Sequence, residues 1–78
     1  MAANRTEGGN VAATAYAKYG NQYGRFPIFD KQSALAALRL RGRARDKKER
    51  ANIIERARKF APEEASAAYA TDKTEGKI

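Results

Sequence analysis

Seven cations within the segment 39–50 carry the most evident chemistry of this chain: Arg39, Arg41, Arg43, Arg45, Lys47, Lys48 and Arg50. A guanidinium presents a flat fork of donors that matches phosphate or carboxylate oxygens two at a time, and an ammonium acts as a point charge. The chemistry is anion recognition, directed at a polyanion or an acidic protein face. Residues 39–59 hold ten basic residues against Asp46, Glu49 and Glu55, an excess equal to the whole net charge of +7. The chain is thus neutral apart from one basic block. Arginines at every second position do not share a helical face, so they form one patch only if the helix breaks at Gly42. Arg43 and Arg45 would then project from a turn. Lys47 and Lys48 would stand at the start of the next helix, where free N–H groups and the dipole favour an anion. No feature specifies base readout, and the bland alternative is a solvated face that aids solubility.

Catalytic chemistry lacks its parts. The 78 residues contain no Cys and no His, so Ser33 and Ser66 have no imidazole to activate them. Asp46 and Glu49 fit helix capping better than an acid–base pair. The glycines show neither phosphate-loop nor dinucleotide spacing. No acidic cluster has metal-ligand spacing, so neither a metal nor a cofactor is expected, and the chain is not expected to be an enzyme. Without disulfides or metal, a chain this short builds a thin core and gains most from a partner.

The aromatic residues lie mostly upstream. Tyr16, Tyr19, Tyr23, Phe26 and Phe29 fall in a stretch interrupted by Gly20, Gly24 and Pro27, which argues against a regular element there. With Lys18 and Arg25 they could stack on unpaired bases. More commonly such rings supply area for packing on protein, so residues 1–25 read as a flexible or partner-bound arm. The surface that receives it is the chain's own helices or a neighbouring subunit. Asn10 is placed to cap a short helix over 11–19, ended by Gly20.

Helical spacing governs the remainder, and no strand pattern competes. Asp30 is placed as an N-cap with Phe29 as a hydrophobic staple onto the first turn, opening a helix over 31–41 whose Ala34, Leu35 and Leu38 share a face. Leu40 points elsewhere, either as a stray exposed residue or toward the arm or a partner. Gly42 suits a left-handed cap. Asp46 and Glu49 form a D-x-x-E capping box before a helix over 47–60, striped with Ile53, Ile54, Ala57, Phe60 and Ala61. Glu55 and Lys59 are spaced for an ion pair on its outer side. Pro62, Glu63 and Glu64 suit the first turn of a third helix through about Ala70. That helix offers little bulk beyond Tyr69 and is expected to be marginal, followed by a polar tail. The expected fold is all-α: an arm over 1–25, a helical hairpin with a basic turn over 26–61, and a short helix with tail over 62–78.

One stretch resembles a known module. Phe26-Pro27-Ile28-Phe29-Asp30, Leu35-Ala36-Ala37-Leu38, Gly42-Arg43-Ala44-Arg45 and Ile53-Ile54-Glu55-Arg56-Ala57-Arg58 follow a pattern found in tailed-bacteriophage proteins, notably the tails of head maturation proteases and related head-assembly proteins. The similarity spans residues 26–60. It implies a phage context and a place in or on the head, with no catalytic role because a protease domain is absent. A second likeness, to SAP-type helix–turn–helix DNA-binding modules, rests on Leu35, Leu38, Gly42, Lys48, Ile53 and Ile54. It departs where those modules place a leucine after the glycine and this chain has Arg43.

These readings lead to an expected function as a virion-associated structural or accessory protein (a head, capsid-decorating or connector component) in contact with other virion proteins in repeated copies. It would be located in the virion or in the cytoplasm of an infected bacterium. The alternatives are a sequence-nonspecific DNA-binding protein working through the basic turn, and an inhibitor docking on an acidic host protein. No small-molecule substrate is implied. Residues 1–5 open a polar stretch unlike a signal peptide, and no run is apolar enough to span a membrane, so a soluble chain without membrane partners is expected.

Overall fold

The computed structural model describes residues 4–78, so the first three residues of the expected arm lie outside the described residues. Four α-helices follow in order: α1 (Ala13–Tyr19), α2 (Lys31–Arg39), α3 (Lys47–Ala57) and α4 (Pro62–Thr74), with a 3-10 turn at Arg41–Arg43 between α2 and α3. The all-α architecture matches the periodicity of the sequence, and the one β feature among the described residues is an isolated bridge between Arg5 and Val11.

Helices α2, α3 and α4 pack on one another, and α1 is held by the irregular segments around it. The core consists of Ile28, Leu38, Ile53 and Ile54 set among Ala34, Ala37, Ala57, Ala61, Ala65 and Ala68. With four large aliphatic side chains and six alanines the core is thin, and Phe26, Leu35, Phe60 and Ile78 pack partly buried against it. Each of the four is correspondingly hard to replace, since truncating a buried Ile or Leu to Ala costs about 2–5 kcal/mol.

The helix ends show which local signals govern. Asp30 caps α2, accepting from Ser33 N at 2.7 Å, while Ser33 Oγ accepts from Asp30 N at 3.1 Å, a reciprocal capping box. Asp46 caps α3 by accepting from Glu49 N at 2.8 Å. The D-x-x-E spacing predicts that Glu49 returns the bond by accepting from Asp46 N, and it does not. Its carboxylate accepts from Arg45 N, one residue earlier, at 2.7 Å, because it is also engaged by the arm. The N-cap of α1 is Ala12 with no side-chain cap, not Asn10, because Val11 is held in the bridge to Arg5.

Gly42 acts differently from expectation, whereas Gly20 ends α1 as expected. Gly42 does not adopt the left-handed conformation: α2 stops at Arg39 and the chain passes into the 3-10 turn. Gly20 ends α1 with φ −72°, also not left-handed; a Cβ there would lie 2.3 Å from Tyr16 O, so the position excludes a side chain by contact. Phe26, by contrast, holds φ 52° despite its bulky side chain, a conformation that costs of order 1–3 kcal/mol.

Helix α4 extends past the expected end at Ala70 to Thr74, taking in the start of the polar tail. Asp72 lies on the same face as Ala65 and Ala68, and its burial explains the extension. The Glu55–Lys59 pair does not form. Glu55 meets Arg58 at 3.6 Å, and the Lys59 ammonium lies 5.6 Å from the centre of the Phe60 ring.

Candidate functional site: the basic turn and the arm beside it

The seven cations of the basic segment do not form one patch. Arg41 sits in the 3-10 turn, from which its Nε donates to Asp72 Oδ2 at 2.8 Å and its Nη2 to Asp72 Oδ1 at 3.2 Å. Its Nη1 donates to Leu38 O at 2.8 Å, closing the end of α2. Arg50, on α3, donates to the same Asp72 Oδ2 at 3.1 Å. Asp72 is 1% exposed, so this triad is an interior joint tying the turn, α3 and α4 together. Burial raises the Asp72 carboxyl pKa, but the hydrogen bonds and charges of Arg41 and Arg50 outweigh it and hold the group below the ordinary carboxylate value. Arg41 and Arg50 are therefore structural cations.

The outward set is Arg39, Arg43, Arg45, Lys47 and Lys48, all exposed. Even these diverge. Arg39 borders a shallow depression between α2 and α4, next to Glu64 and Thr71. Arg43 borders a separate groove between α2 and the arm. The Arg45 guanidinium lies 3.9 Å from the centre of the Tyr23 ring, a cation–π contact between two exposed side chains. Lys47 and Lys48 open α3, but its N-terminus already holds Asp46 as cap, and the Glu49 carboxylate closes the residue before it. A phosphate arriving there would meet two protein carboxylates, so the helix dipole adds less to anion binding than the bare spacing implies.

The arm lies on the chain's own helices. The Tyr19 and Phe29 rings pack at 5.3 Å, and the Arg5 guanidinium sits 5.1 Å from the centre of the Phe29 ring while donating to both oxygens of Asp30 at 3.1 Å. Phe29 thus meets the arm through its ring, while its backbone N–H donates to Ser33 Oγ in the first turn of α2 at 3.0 Å. Burial raises the Asp30 carboxyl pKa, and hydrogen bonds from Ser33 and Arg5 more than reverse this, leaving it below its ordinary value. Arg56, from α3, donates to Phe26 O at 3.2 Å and also to Tyr19 O. Burial lowers the Arg56 pKa, yet a guanidinium keeps its charge at any physiological pH. Asn21 Nδ2 donates to Glu49 Oε2 at 2.6 Å, with Arg25 3.6 Å from the other oxygen. Arg25 also donates to Arg43 O at 2.7 Å, fastening the arm to the basic turn.

Of the five arm aromatics, Tyr19, Phe26 and Phe29 are partly covered, whereas Tyr16 and Tyr23 are exposed. The spacing of the sequence could not separate these two groups. It also gave no role to Asp72, Arg56 or Asn21, although Asp72 stands four and seven residues beyond Ala68 and Ala65. An acid at core spacing on an alanine face was the available signal. Among the described residues there is no cluster of acidic side chains that could hold a metal, and no helix is long and apolar enough to cross a membrane. Comparison with known proteins returns no family model, no curated protein and no solved structure that matches this chain.

Proposed function

We propose that this chain is a bacteriophage virion-associated structural or accessory protein that binds neighbouring protein subunits and catalyses nothing itself. The observation that carries the proposal is the surface beside the basic turn. Exposed Tyr16 and Leu40 line a groove with Arg43, and exposed Tyr23 lies against the Arg45 guanidinium, a mixture suited to an acidic protein face with apolar anchors. The phage-like residues over 26–60 supply the context. Within that stretch, Phe26, Ile28 and Arg56 fasten the arm to the hairpin, which accounts for their presence without any catalytic role. In a particle the chain would occur in copies repeated with the symmetry of its neighbours.

A second reading, nonspecific DNA binding, is favoured by one observation: Arg43, Arg45, Lys47 and Lys48 are exposed within a short segment. Such a site would neutralise about four phosphates and weaken steeply with salt. Mass spectrometry of purified particles from the phage encoding this chain separates the readings. The virion reading predicts the chain at constant copy number per particle after stringent washing. Its absence from particles, with free protein in the lysate, would reject that reading.

A further inference from the structure

We infer that the groove between the arm and α2 is a docking site for an acidic amphipathic helix of a partner protein. The inference deepens the virion reading above by naming the chemistry of the partner, and it rests on that reading for the claim that a protein is bound. The groove encloses about 290 Å³ and is walled by Tyr16, Phe26 and Leu40, with Ala36 and Ala37 as floor. Tyr16 is 45% exposed and Leu40 41% exposed, two large apolar side chains facing water across it. Leu40 and Ala36 stand four residues apart, so their side of α2 presents one continuous ridge.

Three features select the occupant. The lining is largely apolar, so an extended peptide would leave its own backbone N–H and C=O groups unpaired, whereas a helix satisfies them internally. The small residues Ala36 and Ala37 admit a bulky ridge from the incoming helix. The charged side chains lining the groove are Arg25 and Arg43, and neither has an acidic partner inside it. Arg25 is turned to Arg43 O and Glu49, while the Arg43 guanidinium is left exposed to pair with a carboxylate. A second copy of the chain is disfavoured, because two molecules of net charge +7 repel one another. The Phe26 backbone, with φ 52°, is held in the groove wall by Arg56. The wall is therefore preformed, and binding does not have to order it.

The test uses the full chain and two fluorescein-labelled peptides sharing one Leu/Ala ridge, with Glu on the polar face of one and Lys on the other. Fluorescence polarisation should show the Glu peptide binding at least about tenfold more tightly. Leu40→Ser should weaken the Glu peptide about tenfold, and Arg43→Glu should reverse the preference between peptides. Both positions are exposed, and each variant should keep the circular dichroism spectrum of the native chain. A double variant, Lys47→Gln with Lys48→Gln, lies outside the groove and should retain most of the binding. Equal binding of the two peptides, no binding of either, or loss with the lysine variant but not with Leu40→Ser would each overturn the inference. Its failure would leave incorporation into particles untouched, and absence from particles would leave a peptide-binding groove standing.

Discussion

Arg41 and Arg43 are two residues apart in the same turn, yet they belong to different parts of the molecule. Arg41 reaches inward to a carboxylate supplied by α4, whereas Arg43 remains exposed at the edge of a groove. The same division separates Arg50 from Lys47 and Lys48 on α3. What decides between an inward and an outward cation here is one acid, Asp72, placed 31 residues beyond Arg41 in the chain. A run of like charges is therefore a poor guide to a binding surface until its internal acids are located. Once Arg41 and Arg50 are assigned to the joint, the outward charge is smaller and more dispersed, and it lies next to apolar side chains. That composition is the reason a protein partner is preferred to DNA.

The comparison breaks most severely at its hinge. Asp72→Ala leaves two guanidinium groups facing each other without their shared carboxylate, and it should reduce unfolding free energy by about 3 kcal/mol in urea titration. Acid should reproduce the effect. The Asp72 pKa is lowered in the folded state, so its contribution is complete above the ordinary carboxylate value of 3.8 and is lost as pH falls through the lower folded-state value. A melting temperature followed below pH 4 should fall more steeply for the native chain than for Asp72→Asn, which has already lost that contribution.

Next in size is the contrast between the two arginines. Arg41→Gln should cost about 2 kcal/mol by removing charged hydrogen bonds to a buried acid. Arg43→Gln, like other surface changes, should stay within about 0.5 kcal/mol. Equal losses would erase the distinction between inward and outward cations. The smallest effect concerns the caps: Asp46→Ala should cost about 1 kcal/mol. The same change at Asp30 should cost more, because Asp30 also receives Arg5 and so secures the arm.

Much of the fold was legible in the residues. Asp30, Asp46 and Pro62 mark the starts of α2, α3 and α4, and the periodic placement of Ile53, Ile54 and Ala57 identifies the buried face of α3. These signals are local, and local chemistry suffices for them. Legibility failed where a distant partner intervenes. Glu49 abandons its reciprocal cap because Asn21 and Arg45 compete for its oxygens. Gly42 needs no positive φ because the chain turns through a 3-10 segment. The end of α4 depends on Asp72 finding two arginines from other elements. The candidate site was half readable: its cations were evident, but which of them face outward, and which tyrosines accompany them, is set by tertiary contacts.

The most direct test of a protein-facing surface is a titration against a random 30-base-pair duplex over a range of salt concentrations. The account predicts that any binding at low salt fades to insignificance by about 0.15 M salt, the behaviour of a few scattered cations. Micromolar affinity retained at that salt, and removed by replacing Arg43, Arg45, Lys47 and Lys48 with glutamine, would contradict the account and make DNA the partner.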